Sequence, residues 1–160
     1  MKQMILAAIA AALMAGPAFA QAMTPAEYVM TAGASDMYER DSSMIVAEST
    51  TDPRVREFAR MMIAHHTKST ADVKATAAQS RVRAAPPRLM PVQAEMIAQL
   101  TAETGAARDA AYIAQQKAAH NQALEVQKAY AEGGSAPALR RAAAGIVPVV
   151  MSHIEMLKKM

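Results

Sequence analysis

This 160-residue chain has four histidines and no cysteine, and the placing of the histidines raises the first chemical question. His65 and His66 stand side by side in the stretch MMIAHHTKS, while His120 and His153 stand alone far downstream. Imidazole nitrogen suits zinc and copper, and thioether sulfur suits Cu(I). With 14 methionines present, a site built from histidine and methionine is open to this chain without any thiol. For that chemistry, separate elements must each turn one of these side chains inward.

The elements are legible. Ala, Met, Gln, Glu and Lys dominate, all good helix formers, and no segment alternates apolar and polar residues as a half-buried strand does. The spacing predicts four long helices and one short one. The first starts at Thr24-Pro25-Ala26-Glu27, with Thr24 as cap, Pro25 at the first helical position and Glu27 closing a capping box; it runs to about Ser49. Asp52-Pro53 opens a second helix that runs to about Gln79. Prolines break the pattern in RVRAAPPRLMPV. A short helix from about Pro91 to Glu103 follows and ends at Gly105. The next runs from about Ala106 to Glu132 and stops at Gly133-Gly134. Ser135 is the expected cap of the last helix, with Pro137 just inside it. That helix reaches the C-terminus with Pro148 in its interior, where a missing amide predicts a kink.

Two of the connections are only a few residues long, which makes their flanking helices antiparallel neighbours. Residues 80–105 form a much longer connection, able to cross the length of a bundle. The expected fold is all-α: a ferritin-like antiparallel four-helix bundle, with a long crossover between the second and third long helices that carries the short extra helix.

Helical faces then place the histidines. The stripe Val55, Ala59, Met62, His66, Val73 puts His66 inward, with His65 about 100° away at its edge. Ile113, Gln116, His120, Leu124, Gln127 make a second stripe. Leu139, Ala143, Ile146, Val150, His153, Leu157, Met160 make a third. On the first helix Met23, Met30, Met37 and Met44 recur every seven residues, and Ala34, Asp41 and Ile45 extend that face, which brings Asp41 near the core. The candidate metal ligands are therefore His66, His120, His153, Met62, Met37 and Asp41.

Axial bookkeeping divides them. Counting from the turns, His66, His120 and Met37 share a level, while His153 sits ~7 Å away, nearer Asp41, Met62 and Gln116. If a bend at Pro148 closes that offset, three histidines share one ion at the ~2.0–2.1 Å typical of zinc. If it does not, two histidines and a methionine make a Cu(I) site. His65 is expected to be a solvent-facing bystander. The competing reading is a metal-free structural or stress-related bundle acting through its surface. There the methionines are packing, the histidines bond to Asp41, Gln116 or a buried water, and Tyr38, Tyr112 and Tyr130 pack with their hydroxyls at the bundle surface.

Several classes fall away. A di-iron centre needs Glu three residues before its histidines; those positions hold Met62, Ile63, Lys117 and Val150. No Ser-His-Asp order, glycine-rich phosphate loop or pair of catalytic carboxylates appears, so no catalytic residue is assigned and a non-enzymatic protein is expected. Of 17 basic residues one is Lys2; the other 16 face 14 acidic ones, a net +2. Arg81, Arg83 and Arg88 cluster without interleaved aromatic residues, so nucleic acid is not an expected partner. No protein partner is indicated. The opening stretch MKQMILAAIAAALMAGPAFA reads as a signal peptide with an A-x-A site at Ala18-Phe19-Ala20. Cleavage after Ala20 leaves residues 21–160 as the bundle domain, periplasmic or secreted, with no membrane span in the mature chain.

The stretches ASDMYERDSSMIVAESTTDPRVREFARMMIAHHTKS and AYIAQQKAAHNQALEVQKAYAEGG resemble a bacterial family of short secreted proteins. It is a domain-of-unknown-function family with a ferritin-like four-helix fold, often labelled an outer membrane protein. The resemblance covers Ala22 to Met160. It implies a histidine at the positions of His66, His120 and His153 and an acidic residue at Asp41. His65 departs from it, standing where the family usually shows an acidic residue. The resemblance implies no biochemical function. A spanning β-barrel requires many alternating strands, and none is read here.

Overall fold

The computed structural model describes residues 23–160. The signal peptide expected from the sequence, and the cleavage point expected after Ala20, lie outside the described residues. Within them all regular structure is helical: α1 (Pro25–Ser49), α2 (Pro53–Gln79), α3 (Pro91–Ala102), α4 (Gly105–Gly133) and α5 (Pro137–Leu157). No described helix is long and apolar enough to cross a membrane.

Local chemistry explains the boundaries. At the start of α1 the Thr24 hydroxyl accepts from the Glu27 amide at 3.2 Å, and the Glu27 carboxylate accepts from the Thr24 amide at 2.8 Å. These bonds satisfy two of the donors that a helix N-terminus leaves unpaired. Asp52 caps α2 by accepting from the Arg54 amide at 2.8 Å. Two expectations change. Ser135 does not cap α5; Ala136 holds that position, without a side-chain bond. The residue before a proline is forced extended, so Pro137 fixes the non-helical position one residue later than expected. Gly105 opens α4 instead of closing α3, and its φ of +56° is a conformation that glycine adopts without strain. Helix α5 continues through Pro148.

Helix α1 packs chiefly on α2 and α4 chiefly on α5; α1 also meets α4, α2 meets α5, and α3 lies against α1 and α4. Two apolar clusters result. One joins Val46, Phe58, Met62, Tyr112 and Leu157; the other joins Tyr28, Val73, Tyr130, Leu139 and Ala143. Between these two sets every long helix contributes buried polar residues: Asp36, Glu39, Ser42 and Ser43 on α1, His66 on α2, Gln116 and His120 on α4, His153 on α5, with Ala34, Tyr38 and Val150 buried among them. The helical assembly is thus apolar towards both ends and richest in buried polar groups at mid-height.

The inner face of α1 differs from the expected methionine stripe. Met44 is 45% exposed, and Met23, Met30, Met37 and Asp41 are half-buried. Tyr28, Ala32, Asp36, Glu39, Ser43 and Val46 face inward instead. The reason is polar pairing with α4: Tyr28 donates to Gln127 at 2.7 Å, Ser43 and Tyr112 share a bond of 2.8 Å, and Gln116 donates to Ser42 at 3.2 Å. Paired polar groups are buried at little cost, whereas unpaired ones are not. The tyrosine hydroxyls are likewise inside, not at the surface; Tyr38 donates to Gln115 at 3.0 Å.

Candidate metal centre

The centre is assembled by three helices. His66, His120 and His153 are each at most 8% exposed. Each offers one nitrogen such that the three lie within 4.8 Å of one another. The two-level arrangement expected from axial counting is therefore replaced by one level shared by all three histidines. Tetrahedral coordination at bonds of ~2.0–2.1 Å sets ligand nitrogens about 3.3 Å apart, so only a modest contraction separates this cluster from a bound geometry.

Hydrogen bonds fix the rings. His66 Nδ1 donates to Asp36 Oδ1 at 2.8 Å, and Thr70 donates to the other Asp36 oxygen at 3.1 Å. With Nδ1–H committed, Nε2 of His66 carries its lone pair into the cluster, and it is buried without a partner. His120 Nδ1 donates to the Gln116 carbonyl at 2.9 Å, which leaves its Nε2 as an acceptor 3.2 Å from His153 Nδ1. Metal-binding histidines have their second nitrogens held in this way, by a carboxylate or a backbone carbonyl.

His65 is exposed, as expected from its position, yet it is not a bystander. Its Nδ1 lies 2.9 Å from His153 Nε2. The two rings are within 19° of coplanar with centroids 5.1 Å apart. That is the edge-to-edge arrangement of a direct N–H···N bond rather than a face-to-face stack.

Two carboxylates complete the surroundings, and neither is Asp41. Asp36 is bonded to His66. Glu39 is 1% exposed, with Oε1 3.6 Å from His120 Nδ1 and neither oxygen hydrogen-bonded. Among the described residues no lysine or arginine is buried. Burial pushes the Glu39 carboxyl up to about 7. Burial, reinforced by the charge on His66, lowers His120 to about 4. Burial, with the charges of the other histidines, lowers His153 to about 3. Burial opposes protonation of His66 too, but the Asp36 hydrogen bond and the Glu39 and Asp36 charges outweigh it and raise this histidine.

Met62 is fully buried within the apolar cluster that contains Phe58 and Leu157. Among the described residues Met37 and Asp41 make no hydrogen bond to a histidine. Asp36 and Glu39 were missed by the sequence reading. The signal available was their three-residue separation, in phase with Tyr28, Ala32, Ser43 and Val46.

Residues 10–160 match one protein family, described as Domain of unknown function (DUF4142), and the chain belongs to that family. No curated protein matches it, and no solved structure does.

Proposed function

We propose that this member of the DUF4142 family is an exported helical-bundle protein that holds one divalent metal ion, zinc or copper, on His66, His120 and His153, and that it catalyses no reaction. The observation that carries the reading is a charge imbalance. Two buried carboxylates, Asp36 and Glu39, lie against three buried histidines with no buried lysine or arginine among the described residues. A buried charge must be neutralised or paired. In the empty chain a proton on His66 and another on Glu39 serve that purpose. One divalent ion replaces both, and it meets the partnerless Nε2 of His66. The same count favours a divalent ion over Cu(I).

Export rests on the residues Met1 to Ala20, whose pattern is that of a signal peptide. A ferritin-like bundle with a crossover between α2 and α4 accounts for the pairing of α1 with α2, α4 with α5, α1 with α4 and α2 with α5. A di-iron centre is not proposed, because no Glu stands three residues before any of the histidines.

The test is metal content and affinity. The full chain is expected to bind Zn2+ or Cu2+ at one ion per chain, and His66→Ala, His120→Ala and His153→Ala are each expected to abolish that binding. A second reading has its own observation. The chain His65, His153, His120, Gln116 is already linked by hydrogen bonds of 2.9, 3.2 and 2.9 Å, which a metal-free bundle could keep as core pairing. A chain that takes up neither Zn2+ nor Cu2+ would establish that reading.

A further inference from the structure

Beside the histidines, between α2 and α5, lies a cavity of about 470 Å³. The buried His66, His153 and Asp36 form one end of it, and the exposed Arg141 stands at the other. Its wall is largely aliphatic, with Val73, Ile146 and Val150 in the middle. A water occupies ~30 Å³, so the space exceeds a few solvent molecules, and it falls within the roughly 300–1,000 Å³ of small-molecule sites. Three imidazoles leave a four-coordinate ion one ligand short. Two of the three line this cavity, so an ion held by them could take its fourth ligand from it.

We infer that the cavity takes a small organic acid, whose carboxylate completes the coordination of the ion and whose hydrocarbon body lies against Val73, Ile146 and Val150. This rests on the metal reading above. The sign of the charge follows from Arg141, which has no ion-pair partner among the described residues, whereas Lys68 is held by Asp72. Asp36 and Glu39 already offset the charge of the ion, so the cation left to attract an anion is Arg141, and the ion would add a ligand position that a carboxylate oxygen can fill. The wall sets the preference for an apolar chain, because each buried CH2 tightens binding about fourfold.

Gly145 supplies the decisive variant. It lines the cavity from α5, and a Cβ added there meets nothing within 4 Å. A leucine at that position grows into the space without touching a histidine. The probe is the Co2+-loaded full chain, whose visible bands report the ion's ligands, titrated with acetate and with hexanoate. Hexanoate is expected to shift the bands saturably and to bind at least about tenfold more tightly than acetate. Gly145→Leu is expected to keep the Co2+ bands but weaken hexanoate about tenfold or more, with Gly145→Ala in between. Arg141→Gln is expected to weaken both acids about two- to fivefold. Co2+ bands that hexanoate does not move, equal affinity for the two acids, or unchanged hexanoate binding in Gly145→Leu would each overturn this proposal and leave the metal reading standing. A chain that takes up none of Co2+, Zn2+ and Cu2+ overturns both.

Discussion

An exposed histidine orients a buried one: His65 Nδ1 and His153 Nε2 lie 2.9 Å apart in nearly coplanar rings. With its Nε2 held there, His153 turns Nδ1 towards His120. On the proposed metal reading, His65 acts on the centre through His153, not as a ligand itself. Replacing His65 with Ala is expected to weaken Zn2+ binding ~10–100-fold, the usual cost of losing a partner that holds a ligand. The fold should lose only about 1 kcal/mol, one partly exposed hydrogen bond. Competition titration and thermal melts measure the two separately; an unchanged Zn2+ affinity would show that the edge contact orients nothing.

Asp36 carries a heavier load. Asp36→Ala leaves His66 Nδ1 without its acceptor, while the Thr70 hydroxyl keeps the His66 carbonyl at 2.8 Å. The empty chain is expected to lose roughly 1–3 kcal/mol in denaturant unfolding, and Zn2+ affinity to fall ~10–100-fold. Asp41→Ala, on the half-buried side of the same helix, is expected to change stability by less than about 0.5 kcal/mol. Equal losses at the two positions would mean that the inner face of α1 has been misplaced.

The bond between Ser43 and Tyr112 invites a double-mutant cycle. Tyr112→Phe alone leaves the buried Ser43 hydroxyl unpaired and is expected to cost about 1–2 kcal/mol. Adding Ser43→Ala removes the orphan, so the pair should cost less than the sum of the single changes. Additive losses would place the two hydroxyls out of contact.

Acid should weaken the empty protein. The lowered pKa values of His120 and His153 mean that below the ordinary 6.5 the unfolded chain takes up protons that the folded chain refuses down to about 4 and about 3. Stability therefore falls as the pH drops through that window. Glu39 has the opposite sign. Raised to about 7, it binds a proton in the folded state that the unfolded chain gives up above 4.5. It partly offsets the histidines between 4.5 and 6.5, and below 4.5 the offset ends. The steepest loss is expected just below pH 4.5. Melting temperatures of metal-free protein from pH 7 to 3 check this, and His120→Gln should flatten the curve. A curve that stays level below pH 6.5 would contradict it.

Sequence periodicity found the inward faces of α2, α4 and α5, buried histidines and glutamines included, and missed the polar inward face of α1. On α2 and α5 the stripes through Met62 and Leu157 surround the histidines with aliphatic residues, and those faces were read correctly. On α1 the inward face is Asp36, Glu39, Ser42 and Ser43, a pattern that resembles a solvated surface. The methionines spaced by seven drew the reading to the wrong side. Nothing in the spacing says that Ser43 will find Tyr112 on a helix 69 positions away. The His65–His153 bond escaped for a similar reason: it depends on how α2 and α5 lie together, which no single helix encodes. Axial counting placed His66 with His120 correctly but set His153 about a turn and a half away. Its error is of the order of a side chain's reach.

The polar layer at mid-height has a consequence for lifetime. It draws on both helical hairpins, with Asp36, Glu39 and His66 from α1 and α2 and with His120 and His153 from α4 and α5. An ion seated there is a clasp between the two halves, and neither hairpin can swing away until at least one coordinate bond breaks. Unfolding would then be gated by metal release, and durability becomes a matter of rates. Loaded chains would persist among proteases while empty ones are digested. The amount of protein that survives would record how much of the ion was there to be caught.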